Sequence, residues 1–222
     1  MREIKKEVVY DFIEEYINSF EPKMSEKLVA LQKTAQGDNI PIIKPDVINF
    51  IKTMLDLKKP ENILEVGTAY AFSAILMCEK VPTCNVTTIE RDGWMAKHAR
   101  ENIADFNLEE RIKLLEGDGV EMLKSLDENE KKYDFIFIDA SKSHYNEFMK
   151  ECKRLIAPRG LIVCDNVLYK GLVAKKRLEV IRRDRTIHKR MNEFVNDAFA
   201  DTDYETCLIP VGDGILLSSK LN

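Results

Sequence analysis

The 222-residue sequence lacks any long hydrophobic run: no apolar stretch approaches the ~20 residues that a membrane-spanning helix requires. The N-terminal stretch MREIKKEVVYDF mixes acidic and basic side chains and has no apolar signal region or small-residue cleavage site. We therefore expect a cytoplasmic protein with no membrane partner.

Paired cysteines are missing as well, because none of the five cysteines belongs to a CxxC pair. An odd number of cysteines without such spacing predicts neither a disulfide framework nor a zinc site. The simpler interpretation is free, buried thiols.

The net charge is small, at −4, but it is unevenly distributed. Between Lys170 and Arg190, nine basic residues stand against two acidic ones, an excess of seven positive charges. Such runs are usually solvent-exposed helix faces. Because the excess has one sign, contact with a polyanion is the alternative.

Hydrophobic periodicity predicts an α/β fold. Three helical stretches come first, near residues 9–20, 23–36 and 46–57. After Pro60, five short apolar strands alternate with helical segments, and Trp94 in one of those segments is expected in the core. This alternation is typical of a doubly wound, mostly parallel sheet with helices on both faces.

The C-terminal part is expected to add a long helix and a hairpin. The helical pattern covers residues 184–200, with Phe199 among its inward side chains, and two apolar strands joined by the turn VGDG follow it. We predict a single domain over residues 1–222, in which 1–58 form N-terminal helices and 60–222 form the core.

Glycine is scarce where a nucleotide-binding loop would be expected. The stretch ILEVGTAYAFSAIL resembles a buried strand followed by a helix, yet its only glycine is Gly67. A dinucleotide-binding turn needs G-x-G-x-x-G so that the backbone can approach a pyrophosphate. A ligand with a ribose and no phosphate removes the conflict, and S-adenosylmethionine is the common one. Its methionine carboxylate suits the N-terminus of the following helix, with Ser73 as an added donor.

Acidic residues lie at the ends of the first three predicted strands, where ligands of open α/β sheets bind. Glu65 belongs to the first strand, and Glu90 closes the second, a position where a carboxylate accepts hydrogen bonds from ribose hydroxyls. Asp118 and Gly119 follow the third strand. Asp118 either accepts a hydrogen bond from an adenine amino group or belongs to a plain turn.

The next two strands end in a candidate metal site. Asp139 follows the fourth strand, and Asp165 and Asn166 follow the fifth. Neighbouring strands lie ~4.8 Å apart, so these oxygen ligands can converge on one ion, for which magnesium or manganese suits better than zinc. Such an ion would bind two neighbouring substrate oxygens, and Lys142 is placed to take a hydroxyl proton. The alternatives are a helix cap, a solvent-facing lysine and a turn.

Five motifs resemble those of the cation-dependent O-methyltransferases of the catechol and caffeoyl-coenzyme A type: LEVGTxxxxSA, TTIERD, FIDAxKxxY, DNVLYKGLVA and IPVGDGILLS. Within that family, the sequence resembles bacterial tRNA 5-hydroxyuridine methyltransferases most. The resemblance extends from about Ile42 to Ser218. It implies a Rossmann-like class I methyltransferase fold with a seven-stranded sheet, and a homodimer.

The resemblance also assigns roles to residues. It implies that S-adenosylmethionine contacts Ile43, Glu65, Gly67, Ser73, Glu90, Asp118, Gly119, Asp139 and Tyr145. It implies that the metal ligands are Asp139, Asp165 and Asn166, and that Lys142 and Asp139 are catalytic. Ala71 departs from the family, which commonly has glycine there, so the detailed geometry of the donor loop is in question.

The predicted substrate follows from the basic segment. In 5-hydroxyuridine the 5-hydroxyl lies beside a carbonyl oxygen, a pair that chelates a metal much as a catechol does. We predict methylation of this nucleoside to 5-methoxyuridine at the tRNA wobble position, with the anticodon loop rather than DNA as partner. The alternatives are an O-methyltransferase for a small catechol or hydroxycinnamoyl compound and a non-catalytic RNA-binding protein. The residues predicted to contact RNA are Lys175, Lys176, Arg177, Arg182, Arg183 and Arg185.

Overall fold

The computed structural model describes residues 8–222. Within that range the helices are α1 (Asp11–Asn18), α2 (Glu26–Gly37), α3 (Pro45–Lys58), α4 (Phe72–Lys80), α5 (Gly93–Asp105), α6 (Gly119–Ser125), α7 (Tyr145–Leu155) and α8 (Arg185–Ala200). The strands are β1 (Asn62–Val66), β2 (Asn85–Glu90), β3 (Ile112–Glu116), β4 (Tyr133–Ile138), β5 (Ile156–Cys164), β6 (Tyr204–Ile209) and β7 (Ile215–Lys220).

The three N-terminal helices agree with the periodicity of the sequence. Ser25 begins α2 because its hydroxyl accepts a hydrogen bond from the Leu28 amide, at 3.1 Å. In α3, Pro45 occupies the first turn, where its missing N–H is not needed, and left-handed Lys59 ends the helix. Residues 1–7 of the predicted N-terminal region lie outside the described residues. No helix of residues 8–222 is long and apolar enough to cross a membrane.

The sheet has seven strands in the order β3-β2-β1-β4-β5-β7-β6. The first five strands are parallel, and β7 runs antiparallel to both β5 and β6. The predicted α/β fold and its closing hairpin are therefore confirmed. The chain moves outward from β1 to β3 and then returns to place β4 beside β1. Ligands of open α/β sheets bind at such a reversal.

Both faces of the sheet are buried, as near-continuous apolar strands require. Side chains such as Ile63 and Phe137 pack with α2, α3, α4 and α5 in one cluster. Their alternating neighbours, such as Leu64 and Ile138, pack with α6, α7 and α8 in the other. The strand ends therefore project from a rigid frame.

Two side chains that we expected inside are exposed. Trp94, in the first turn of α5, is 53% exposed and packs against the rings of His98 and Tyr70, with centroids 4.4 and 5.7 Å away. Phe199 is also 53% exposed, because the buried side of α8 runs through Phe194 and Ala198 and the next residue points about 100° away. Periodicity identified the helices correctly but overestimated the width of their buried faces.

The cysteines are free, and four of them are buried as expected. Cys207 is the exception, because it belongs to β6, the edge strand, and points to solvent.

Candidate active site

Hydrogen bonds across the sheet continue past the strand ends and align the predicted site residues. The Gly67 amide donates to Ile89 O at 3.0 Å, the Asp139 amide to Val66 O at 3.0 Å, and the Asp165 amide to Ile138 O at 2.9 Å. Each residue following β1, β4 and β5 is thus held against the neighbouring strand. The side chains of Asp139 and Asp165 consequently emerge side by side.

A cavity of about 510 Å³ lies at this edge. Most of the predicted donor, metal and catalytic residues line it: Ile43, Gly67, Ser73, Glu90, Asp118, Gly119, Asp139, Lys142, Asp165 and Asn166. Its volume falls in the range of small-molecule and cofactor sites. Glu65, Tyr145 and the six residues predicted to contact RNA are not among its lining residues.

Gly67 is required by a close approach of protein backbone. A Cβ at this position would lie 2.0 Å from the carbonyl oxygen of Asp139, and φ is +102°. The single glycine of this turn therefore admits the neighbouring strand end. A phosphate is not needed to explain it.

Glu90 binds the turn after β1. Its Oε2 accepts hydrogen bonds from the amides of Thr68, at 3.2 Å, and Ala69, at 2.9 Å, while Oε1 accepts one from the Asp92 amide at 2.9 Å. The carboxylate is thus fixed at the cavity wall. Carboxylate oxygens have further lone pairs, so ribose hydroxyls can still bind there.

Glu65 lies behind the cavity wall rather than on it. Its carboxylate is wholly buried and accepts hydrogen bonds from the hydroxyls of Ser73 and Thr88. Burial raises the pKa of Glu65 to about 7, against the lowering effect of both hydroxyls. Ser73 donates its hydroxyl proton to Glu65, so it is not the free donor for the methionine carboxylate that the sequence led us to expect.

Asp118 both caps a helix and lines the cavity. Its Oδ1 accepts hydrogen bonds from the amides of Val120, at 3.0 Å, and Glu121, at 3.2 Å, at the start of α6. The turn expected from the sequence and a ligand-facing carboxylate are therefore compatible. Gly119 is hemmed in by Phe148, whose ring would lie 2.8 Å from an added Cβ.

Ala71 occupies the donor-loop position at which the family commonly has glycine. The residue has a left-handed φ of 62°, the conformation that favours glycine. Its methyl group is fully buried in the apolar cluster beneath α4 and does not line the cavity. The methyl group of Ala71 therefore adds nothing to the cavity wall.

Asp139, Asp165 and Asn166 form an acidic edge, the name used for these three residues below. The Asn166 amide nitrogen donates to Asp139 Oδ1 at 2.9 Å, and Asp165 Oδ1 accepts from the Asn166 backbone amide at 2.6 Å. Burial raises the pKa of Asp139, and burial together with the charge of Asp139 raises that of Asp165. A cation between these carboxylates, of which Asp165 is buried and Asp139 is half-buried, would offset their mutual repulsion.

The donor set fits a hard divalent cation. The acidic edge offers two carboxylates and an amide, all oxygen ligands, with the cavity open beside them. An ion held by these three side chains would keep open positions for other oxygens, because hard divalent cations bind roughly six oxygen ligands.

Lys142 lies beside the acidic edge in a short 3-10 turn, Lys142–His144. Its ammonium group is close enough to lower the pKa of Asp139 and of Asp165 electrostatically. The same ammonium lies 5.8 Å from the centre of the Tyr169 ring. His144 also lines the cavity.

One wall of the cavity was missed by sequence reasoning. Gly212 and Asp213, in the turn between β6 and β7, face the acidic edge, and the Gly212 amide donates to Asp46 Oδ2 at 2.7 Å. Asp213 accepts a hydrogen bond from the Lys170 amide. The two glycines of VGDG indicated a turn, but nothing in the sequence located that turn beside β5.

The predicted RNA-contacting residues lie in an exposed segment outside the cavity. This segment, residues 175–185, contains two 3-10 turns, Arg177–Glu179 and Arg182–Asp184, and Leu178 is 92% exposed. Only Lys175 of the six predicted residues is half-buried, and Arg185 Nε donates to Val180 O at 3.0 Å. Arg190, in α8, approaches Ser143 O at 3.5 Å, which connects this side of the molecule to the Lys142 turn.

Comparisons with known proteins match nearly the whole chain. The family model for O-methyltransferases matches residues 16–221. Catechol O-methyltransferase of Niastella koreensis is 30% identical over 169 residues, which cover 74% of this chain and 76% of that protein. Caffeoyl-CoA O-methyltransferase of Populus kitakamiensis is 28% identical over 192 residues, covering 83% and 79%.

Solved structures agree with the fold. A Staphylococcus aureus chain assigned as a caffeoyl-CoA O-methyltransferase superposes with a TM-score of 0.85 at 28% identity, covering 95% of this chain and all of that one. The SAH-bound Podospora anserina methyltransferase PaMTH1 superposes with a TM-score of 0.83 at 23% identity, covering 96% and 95%.

Proposed function

Because this chain belongs to the O-methyltransferase family, we propose that it transfers a methyl group from S-adenosylmethionine to one hydroxyl of a small substrate with two adjacent oxygens. A catechol or a caffeoyl-CoA-like compound is such a substrate. The observation that carries the proposal is the acidic edge with Lys142, beside the Gly67 turn in a single cavity. Catechol and caffeoyl-CoA O-methyltransferases among the relatives support this substrate class.

The donor would occupy the half of the cavity nearest β1, β2 and β3. Glu90 would accept hydrogen bonds from the ribose hydroxyls, and Asp118 from the adenine amino group. The amides at the N-terminus of α4 would bind the methionine carboxylate. No part of this ligand needs a glycine-rich loop.

The acceptor would occupy the half nearest β4 and β5. Asp139, Asp165 and Asn166 would hold a divalent cation, Mg²⁺ or Mn²⁺, which when bound would fix two substrate oxygens and favour the ionised hydroxyl. Lys142 would take the proton from that hydroxyl. The oxygen would then form a bond to the methyl carbon as the carbon–sulfur bond breaks, with both reactants held in line.

The test is product analysis with purified protein. S-adenosylmethionine, Mg²⁺ and either catechol or caffeoyl-CoA should yield a mono-methylated product by mass spectrometry, and a chelator should remove the activity. Lys142→Ala should lower kcat by about 100-fold or more, because it removes the proton acceptor. The control is Lys150→Ala, an exposed lysine of α7 that does not line the cavity. Turnover that persists in chelator would contradict the metal-dependent mechanism.

A second candidate is methylation of 5-hydroxyuridine in the tRNA anticodon loop. The exposed basic segment 175–185 favours it, since a small phenol needs no phosphate-binding surface whereas RNA does. The adjacent oxygens of 5-hydroxyuridine suit the same acidic edge. Nucleoside mass spectrometry of tRNA from cells with and without the gene tests it. An unchanged level of 5-methoxyuridine would refute this candidate.

A further inference from the structure

The hydroxyl group of Tyr145 is buried next to the acidic edge. The side chain is 1% exposed, does not line the cavity, and donates a hydrogen bond to the carbonyl oxygen of Asp165 at 2.8 Å. Its ring is wedged by an edge-to-face contact with Phe194, centroids 5.4 Å apart and planes at 73°. The hydroxyl therefore has one fixed direction, toward the end of β5.

The backbone at Asp165 needs that partner. The Asp165 amide makes the hydrogen bond to β4 that follows the strand, and Asn166 then turns the chain with a left-handed φ of 59°. The carbonyl group of Asp165 therefore lies just past the end of β5, in a residue that is buried. Without the Tyr145 hydroxyl it would be a buried acceptor with no partner among the contacts of this strand end, which is energetically costly.

Tyr145 also joins the two halves of the acceptor site. It follows the Lys142–His144 turn directly and begins α7, while its hydroxyl reaches the strand end that carries Asp165 and Asn166. One side chain thus connects the Lys142 turn to the strand end that carries two members of the acidic edge. A phenylalanine would keep the ring packing and lose the hydroxyl group, with its hydrogen bonds to the Asp165 carbonyl and to the Ala140 backbone.

We propose that Tyr145 is a positioning residue for the cation site, acting through the Asp165 carbonyl. This inference rests on the proposed function, because it assumes that the acidic edge binds a divalent cation. Groups that orient metal ligands typically change metal affinity by ~10–100-fold when removed. The loss of one hydroxyl group, which reaches the ligands only through the backbone, belongs at the lower end of that range.

The experiment measures Mn²⁺ binding to the purified protein by EPR, which needs neither substrate nor turnover. Tyr145→Phe should raise the Kd for Mn²⁺ about 10-fold. Its affinity for S-adenosylhomocysteine should stay within about twofold of the wild type, since the side chain does not line the cavity. Excess metal should restore kcat, so that only the metal concentration for half-maximal rate is raised.

Tyr133→Phe is the matched control. Tyr133 begins β4, at the end of the strand opposite to the acidic edge, and is 2% exposed. Its hydroxyl forms a hydrogen bond with Thr87 of β2. Tyr133→Phe therefore also removes a buried hydroxyl, but far from the acidic edge. The control should bind Mn²⁺ as the wild type does, whatever its melting temperature.

The outcomes separate the two proposals. If the wild type binds Mn²⁺ and Tyr145→Phe binds it equally well, the positioning role is wrong and the proposed function stands. If Tyr145→Phe instead weakens S-adenosylhomocysteine binding alone, Tyr145 serves the donor and the inference is again overturned. If the wild type binds no Mn²⁺, the metal-dependent function fails and this inference fails with it.

Discussion

At the scale of single residues, the contacts around a residue explain why that residue type is needed at the site. Gly67 and Glu65 are two residues apart, yet one is constrained by a neighbouring backbone and the other by two hydroxyls. A quantitative prediction follows for the replacement of each residue.

Replacement of Gly67 by alanine should destabilise the fold. The added Cβ would meet the Asp139 carbonyl at 2.0 Å, and a left-handed alanine is strained in addition, so we expect a loss of about 2–5 kcal/mol in the free energy of unfolding. Urea unfolding measures it. Gly37→Ala is the control, because nothing lies within 4 Å of its added Cβ. Equal stabilities of both variants would contradict the close approach.

Glu65→Gln should remove a pH dependence of stability. The folded pKa of Glu65, about 7, lies above the ordinary value of 4.5, so the folded state binds more protons than the unfolded state between these values. Wild-type stability should therefore fall as pH rises through that window, on the order of 3 kcal/mol by pH 8. The glutamine amide still pairs with both hydroxyls and does not ionise. Between about pH 5 and pH 8, the melting temperature should change less with pH in the variant than in the wild type.

At the scale of elements, connections far apart in the sequence build the cavity. The turn between β6 and β7 reaches the acidic edge because β7 pairs with β5, and Asp46 at the start of α3 holds that turn through the Gly212 amide. The basic segment 175–185 forms a separate exposed surface that contributes no side chain to the cavity. Chemistry and polyanion binding can therefore be tested independently.

Reversing the charge of Arg182 and Arg183 should weaken RNA binding without changing catalysis on a small substrate. The double Glu variant should bind tRNA more weakly and with a shallower salt dependence, because phosphate contacts release counterions, whereas methylation of a small phenol should be unchanged. Filter binding at several salt concentrations measures this. Lys33→Glu combined with Lys150→Glu changes the net charge equally at other exposed sites. If both variants bind tRNA like the wild type, the small-molecule substrate is favoured.

At the scale of the whole molecule, stability should be linked to metal. Burial raises the folded pKa values of Asp139 and Asp165 above the ordinary 3.8, so the folded metal-free protein retains protons there that the unfolded chain releases. Its stability should fall as pH rises from about 4 to 8. Mg²⁺ binds the ionised carboxylates, so it should raise the melting temperature more at pH 8 than at pH 5. An equal effect at both pH values would contradict the acidic edge as the binding site.

Much of this architecture could be predicted from the sequence because its signals are local. Alternating apolar strands and helices, together with acids after the strands, indicated a doubly wound sheet and the side of it that carries the site. Trp94 and Phe199 were placed wrongly because helical periodicity does not reveal where a covering layer ends. The homodimer implied by the resemblance stays a prediction.

The sequence by itself determined the fold class, the family resemblance and the types of residue at the strand ends, since these depend on patterns within short stretches of chain. Only the tertiary structure decided that the Asp139 carbonyl leaves no room for a side chain at Gly67, that the Tyr145 hydroxyl binds the Asp165 carbonyl, and that Asp213 forms part of the cavity wall. Each of these contacts joins segments brought together by strand order. Strand order is set by packing the whole sheet, and no local pattern encodes it.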